Sequence, residues 1–145
     1  MRRVAAVSRW RDQQQKRLDD LKTQAGEAAR RHQAHQARLN LLENLKTQYA
    51  FSAGEQASSL LMKGTARFRG QLDNLSLMQK QEMMLSEIEL RSVNERVVNQ
   101  HRQVKMCDKV IEKRMNAINQ KKAKAEQKML DELAMQASAR RHQCC

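Results

Sequence analysis

No proline occurs anywhere in the 145 residues, and there are only four glycines. Turns draw on those two residue types, so a fold of many short strands and tight connections is excluded. Aromatic residues are equally scarce, with one Trp, one Tyr and two Phe. A layered core leans on side chains that each bury roughly 150–250 Å², and four of them do not furnish one. No stretch approaches the roughly 20 apolar residues of a membrane span. The chain begins with positive charge at Arg2 and Arg3, but no apolar run of about 7–15 residues follows, so the start does not read as a secretory signal. The three cysteines are an odd number. Their spacing suggests neither a zinc site nor a disulfide framework, which reads as a reduced, cytosolic protein.

What is present is Ala, Leu, Lys, Arg, Glu and Gln, with 30% of residues charged. That is the composition of long helices or a coiled coil. The net charge is +12 and its placement is uneven: residues 1–50 carry +6, residues 51–100 carry zero, and residues 101–145 carry +6. Both ends are basic and the middle is neutral.

A heptad spacing runs without a stutter through Val4, Val7, Arg11, Gln14, Leu18, Leu21, Ala25, Ala28, His32, His35, Leu39, Leu42, Lys46 and Tyr49. It predicts one helix over about 3–50 with a narrow apolar stripe. The pattern fails over residues 51–65, where Gly54 and Gly64 bracket a serine-containing segment. Glycine weakens a helix interior by roughly 1 kcal/mol, so the chain is expected to reverse there, with room for a helical turn around Ser59–Lys63. A second helix is expected over about 66–141. Met83, Leu90, Val97, Val104, Ile111, Ile118 and Ala125 recur in it every seven residues, with Phe68, Leu72 and Leu75 nearest the reversal. Between them Val93, Cys107, Met115 and Met129 are apolar, whereas Glu87 and His101 are not.

The expected fold class is therefore all-α: two long helices in an antiparallel coiled-coil hairpin, the second longer, with a disordered tail at 142–145. Placing Tyr49 beside Phe68 sets a register in which partner numbers add to about 117. Leu42 then faces Leu75, Leu21 faces Val97 and Val4 lies near Lys113. The second helix overhangs the first by about 25 residues, or about 40 Å. Ile118, Ala125 and Met129 continue the stripe there with nothing in the hairpin to cover them, so that stretch reads as a docking surface. The same register gathers both basic ends together and leaves the neutral third as a tip.

No catalytic constellation stands out, and no metal set or cofactor cradle. His32 and His35 lie on one helix face, but a metal site needs further ligands, and both read as polar seam residues. Cys107 reads as a small buried side chain, and Cys144 and Cys145 as part of the tail. A pI near 10.2 meets the first criterion for a nucleic-acid binder. No recognised motif accompanies it, and apart from Trp10 no aromatic interleaves with the charges, so a solvated surface facing an acidic protein is favoured over nucleic acid. Arg2 and Arg3 oppose the helix macrodipole, which costs about 0.3–1 kcal/mol, and an acidic partner would account for them.

Three stretches resemble the FliJ family of flagellar type III export. They are Lys16-Arg17-Leu18-Asp19-Asp20-Leu21; Leu41-Leu42 and Tyr49 set against Phe68 and Leu72; and Glu126-Gln127-Lys128-Met129-Leu130-Asp131-Glu132-Leu133-Ala134 followed by Arg140 and Arg141. The resemblance covers essentially the whole chain. It implies a non-enzymatic stalk without cofactors that inserts into the hexameric ring of the export ATPase FliI and promotes its assembly. It further implies contact with the export gate protein FlhA, with FliH and export chaperones as additional partners. The expected location is cytoplasmic, peripheral to the inner-membrane export apparatus, in a cell that needs flagella for motility and chemotaxis. Injectisome stalk proteins are the nearest competing family, and Asp131-Glu132 favours the flagellar branch. The family's gate-contact patch maps onto Leu42, Tyr49, Phe68 and Leu72. Leu45 stands there in place of an aromatic residue, Arg38 of an amide, Leu75 of a smaller residue and Gln79 of a histidine. For the ATPase the expected contacts are the basic residues Arg2, Arg3, Arg11, Lys16, Arg17, Lys121, Lys122, Lys128, Arg140 and Arg141.

Overall fold

The computed structural model describes residues 2–52 and 59–143, with no account of the side chains of residues 50–52. Two helices make up all of it: α1, Arg2–Ser52, and α2, Ser59–Gln143. At 1.5 Å per residue they are about 75 Å and about 130 Å long. The fold class is all-α as expected, with the second helix longer.

Helix α2 starts at Ser59, earlier than the position 66 expected from Gly64. The intervening Leu60, Leu61, Met62 and Lys63 are strong helix formers whose combined preference outweighs one glycine. Thr65 ties the first turns together, its hydroxyl donating to the Leu61 carbonyl at 2.6 Å. The helix also runs to Gln143, past the expected end at 141. Arg140, Arg141 and His142 lie in its last turn, where positive charge complements the helix dipole. The first turn of α1 holds no acidic residue to offset Arg2 and Arg3. Gly54, Cys144 and Cys145 lie outside the described residues.

The chain divides into two compact units, residues 1–16 with 101–145 and residues 17–100. In each, a stretch of α1 pairs with a stretch of α2 running the opposite way. In the larger unit Arg31 meets Glu89, His32 meets Ser86, Lys46 meets Asp73 and Tyr49 meets Phe68. In the other, Arg11 meets Asp108 and Arg114 meets the backbone of Arg3. Partner numbers in these six pairs add to between 117 and 120, the register expected from Tyr49 and Phe68.

On α1 every heptad position from Val4 to Lys46 is buried or half-buried, with Leu18 and Ala28 fully enclosed. Helix α2 answers with an equally regular spacing through residues 72, 76, 79, 83, 86, 90, 93, 97, 100, 104, 107 and 111, none of them exposed. Three expected positions are displaced by one residue. Ser76, not Leu75, faces α1: Ser76 is 1% exposed and Leu75 51%. Ser86 and Gln100 hold the places expected of Glu87 and His101. The apolar signal misleads because this part of the seam is polar, and one residue is a rotation of about 100° on a helix. Beyond Ile118 the stripe meets nothing among the described residues, and residues 119–143 are exposed throughout. Met115 is also exposed.

Two of the buried polar residues of α2, Gln79 and Ser86, are hydrogen-bonded, which avoids a desolvation penalty, whereas the Ser76 hydroxyl is enclosed without a partner among the described residues. The Ser86 hydroxyl donates to the Met83 carbonyl at 2.8 Å and so accepts from Nδ1–H of His32 at 3.0 Å. The Gln79 amide nitrogen donates to Nδ1 of His35 at 2.9 Å and to the His35 carbonyl at 3.2 Å. The Ser86 hydroxyl thus places a proton on Nδ1 of His32, whereas Nδ1 of His35 faces both the Gln79 amide and, at 3.6 Å, the Glu82 carboxylate.

Candidate binding surfaces

The larger unit holds the aromatic pair. Tyr49 comes from the end of α1 and Phe68 from the third turn of α2, with ring centroids 4.6 Å apart and planes tilted by 52°. A tilted arrangement at that distance is favourable beyond burial, by about 0.5–1.5 kcal/mol. Tyr49 is 36% exposed and Phe68 37%, so each ring offers one part to its neighbour and one to solvent. A shallow groove runs beside them, lined by Tyr49, Leu60, Leu61, Gly64, Thr65 and Phe68. Gly64 leaves its floor open, with nothing within 4 Å of where a Cβ would stand. At the groove's side Arg69 donates to the Tyr49 carbonyl at 3.4 Å, and Lys46 holds Asp73 at 2.9 Å.

The seven residues read as the gate-contact patch therefore divide by exposure. Tyr49, Phe68 and Leu75 reach solvent, and Leu42 and Leu45 are half-buried. Leu72 is 3% exposed and Gln79 is buried against His35, so both support the patch from beneath. Arg38 is exposed. Leu60 and Leu61, which complete the groove, fall in the stretch where the heptad pattern fails, so periodicity does not point to them. Their adjacent large side chains near an aromatic position are the signal the sequence does carry.

The smaller unit holds the charge. It carries 16 basic and 6 acidic side chains, a net +10, against +2 for the larger unit. A groove in it is lined by Arg2, Arg3, Val4, Arg114, Ala117, Ile118 and Lys121. Four cations thus surround an apolar floor, and Arg114 fixes the rim by donating to the Arg3 carbonyl at 3.3 Å. Lys122, Lys128, Arg140 and Arg141 stand exposed along α2, and Lys16 on α1. Arg11 is differently employed. Its guanidinium donates to Asp108 at 2.8 Å and lies 3.8 Å from Asp12. The hydrogen bond to Asp108 and its charge hold the Arg11 proton more firmly than usual. Arg17 falls in the larger unit. A separate apolar groove in the smaller unit is formed by Val7, Trp10, Gln103, Met106, Cys107 and Val110. The sole Trp of the chain was the signal for it.

Among the described residues no group of three or more His, Cys, Asp or Glu side chains could hold a metal ion. His32 and His35 spend Nδ1 on cross-helix hydrogen bonds. These surfaces can bind by charge and apolar contact. The profile of the family described as Flagellar FliJ protein matches residues 8–143. The chain belongs to the FliJ family. That family is a non-catalytic component of flagellar protein export, so this FliJ-family chain is a protein of that export system. No curated protein and no solved structure matches the chain. No described helix of this FliJ-family chain is long and apolar enough to cross a membrane.

Proposed function

We propose that this FliJ-family chain is the stalk of the export ATPase. Its basic unit enters the FliI ring and promotes ring assembly, and the Tyr49–Phe68 groove engages FlhA. Contacts with FliH and export chaperones belong to the same reading, as does a peripheral position at the inner-membrane export apparatus. The observation that carries it is the concentration of charge: one unit nets +10 and the other +2. In that basic unit the helix from 119 to 143 is covered by nothing among the described residues. A long uncovered helix with cations on every side suits the lumen of a ring whose inner wall is acidic. The aromatic groove lies where charge is nearly balanced, so binding there rests on apolar anchors. Truncating such an anchor often costs about 2 kcal/mol or more.

Mixing the purified chain with FliI tests the reading. Stimulated ATP hydrolysis and ring formation, in proportion to the chain added, are expected. An unchanged ATPase rate over a tenfold excess of chain would refute it.

A further inference from the structure

The outward face of α2 in the larger unit is unusual for a solvated helix surface. Leu77, Met78, Met84, Leu85 and Ile88 are 58–67% exposed. At about 100° per residue they lie within a sector about 120° wide, centred opposite the seam formed by Ser76, Gln79, Met83, Ser86 and Leu90. Asn74 and Gln81 complete that sector, so no charge falls on it between residues 74 and 88. Lys80 and Glu82 flank Gln81 in sequence but lie about 100° to either side of the sector's centre. Five large apolar side chains in three turns approach the few hundred Å² at which an exposed patch signals a binding site.

From Leu77 to Leu85 the order of residues along this face is a palindrome, which Asn74 and Ile88, the next positions out, do not continue. Read outward from Gln81 in either direction, the positions three and four away are Met and then Leu: Met84 and Leu85 one way, Met78 and Leu77 the other. A two-fold symmetric contact requires a surface that is its own complement, in which residue i of one copy meets residue j of the other and j meets i. A helix pairing antiparallel with its own copy about Gln81 meets that condition. Leu77 lies opposite Leu85 of the second copy, Met78 opposite Met84, and Gln81 opposite itself. Glutamine amides both donate and accept, so the two Gln81 side chains can hydrogen-bond across the axis. A lone polar residue within an apolar helix contact fixes register in this way.

Charge favours the same occupant. Two copies of a +12 chain repel, least where local charge is lowest, and residues 51–100 net zero. An uncharged face also gives a basic or acidic foreign helix nothing to select. We propose that the Leu77–Leu85 face of α2 is a docking site for a second copy of this chain, antiparallel and centred on Gln81, with Ile88 at the margin opposite Asn74 of the second copy. The patch offers less than the roughly 800 Å² per partner of a standard stable interface, so the dimer is weak, with Kd between about 10 µM and about 1 mM. This surface is distinct from the basic groove and the aromatic groove, and its test is independent of FliI.

Sedimentation equilibrium on the full chain should show an apparent mass rising with concentration from the single-chain value of 16.9 kDa towards twice that value. Gln81→Glu sets two carboxylates on the axis and should weaken association at least tenfold. Gln81→Leu should strengthen it. Position 81 is exposed, so helicity by circular dichroism should not change in either variant. With Cys107→Ala, Cys144→Ser and Cys145→Ser in the background, Gln81→Cys should cross-link to itself under mild oxidation. Leu77→Cys should cross-link to a Leu85→Cys chain and not to itself, because like residues at 77 stand about 12 Å apart along the axis. Self-cross-linking of Leu77→Cys would mean a parallel pair and overturn the proposal. So would association that ignores Gln81→Glu. A chain that keeps its single-chain mass at every concentration would overturn it too, and leave the face to the helix of another protein.

Discussion

Phe68 separates two roles that a single side chain can share. Its ring packs on Tyr49 and also lines the groove beside Leu60 and Leu61. A ring 37% exposed supplies modest core energy and a large contact to anything seated in the groove. Phe68→Ala should therefore weaken FlhA binding at least tenfold and leave stimulation of FliI intact. Loss of both activities together with a lowered melting temperature would make Phe68 a seam residue and remove the groove as a site. Sequence legibility at this scale followed side-chain chemistry. Tyr49 and Phe68 were readable because aromatics are so few. Gln79 and Ser86 were not, because their burial depends on hydrogen bonds that no hydropathy pattern records, and Ser76 was not, because a small side chain is enclosed there without a polar partner among the described residues. His32 and His35 showed their face by spacing, but their partners Ser86 and Gln79 became visible only with the fold.

Helix phase and helix ends proved readable to different degrees. The heptads of α1 placed thirteen positions from Val4 to Lys46 on the protected face, since a 3-4 repeat fixes the stripe directly. Ends were harder: Gly64 suggested a break that the strong helix formers before it, Leu60 to Lys63, bridge by propensity, since they are largely exposed. The two elements also differ in what holds them. Most of α1 is secured by the seam, whereas residues 119–143 of α2 rely on their own turns. Within them the Gln127 amide donates to Asp131 at 3.3 Å, a link worth about 0.2–0.5 kcal/mol. Isolated helices gain little stability without packing, so amides over 119–143 should exchange with solvent far faster than those around Leu18 and Val93. Hydrogen exchange read by mass spectrometry checks this directly. Slow exchange across 119–143 in the free chain would show that something covers the helix. On addition of FliI the same peptides should become protected.

For the molecule as a whole the dominant variable is electrostatic. Reversing Arg2, Arg3, Lys121 and Lys122 to Glu takes the net charge from +12 to +4 and strips three of the four cations from the Val4–Ile118 groove. Charge steers encounter more than it holds a complex together, raising association rates by roughly 10–10³-fold where fields are complementary. The reversed chain should associate with FliI at least tenfold more slowly in low salt, and the gap to the native chain should narrow as salt rises. Equal rates at low salt would rule out the electrostatic account. Stability should change little, because exposed charges of this kind contribute about 0–1 kcal/mol each.

Cys107 gives the smaller unit a built-in clock. Its thiol is buried in the seam between Val104 and Ile111, beneath the Val7–Trp10 groove, and a thiol reagent too bulky for that groove reaches it only when the paired helices part. In a chain carrying Cys144→Ser and Cys145→Ser, the labelling rate of Cys107 counts those openings. Anything that grips both strands of the unit slows the count, whereas a partner seated on the Tyr49–Phe68 groove leaves it running. FliI should therefore lengthen the labelling half-time of Cys107 and FlhA should not. The opposite pattern would exchange the two surfaces between the two partners.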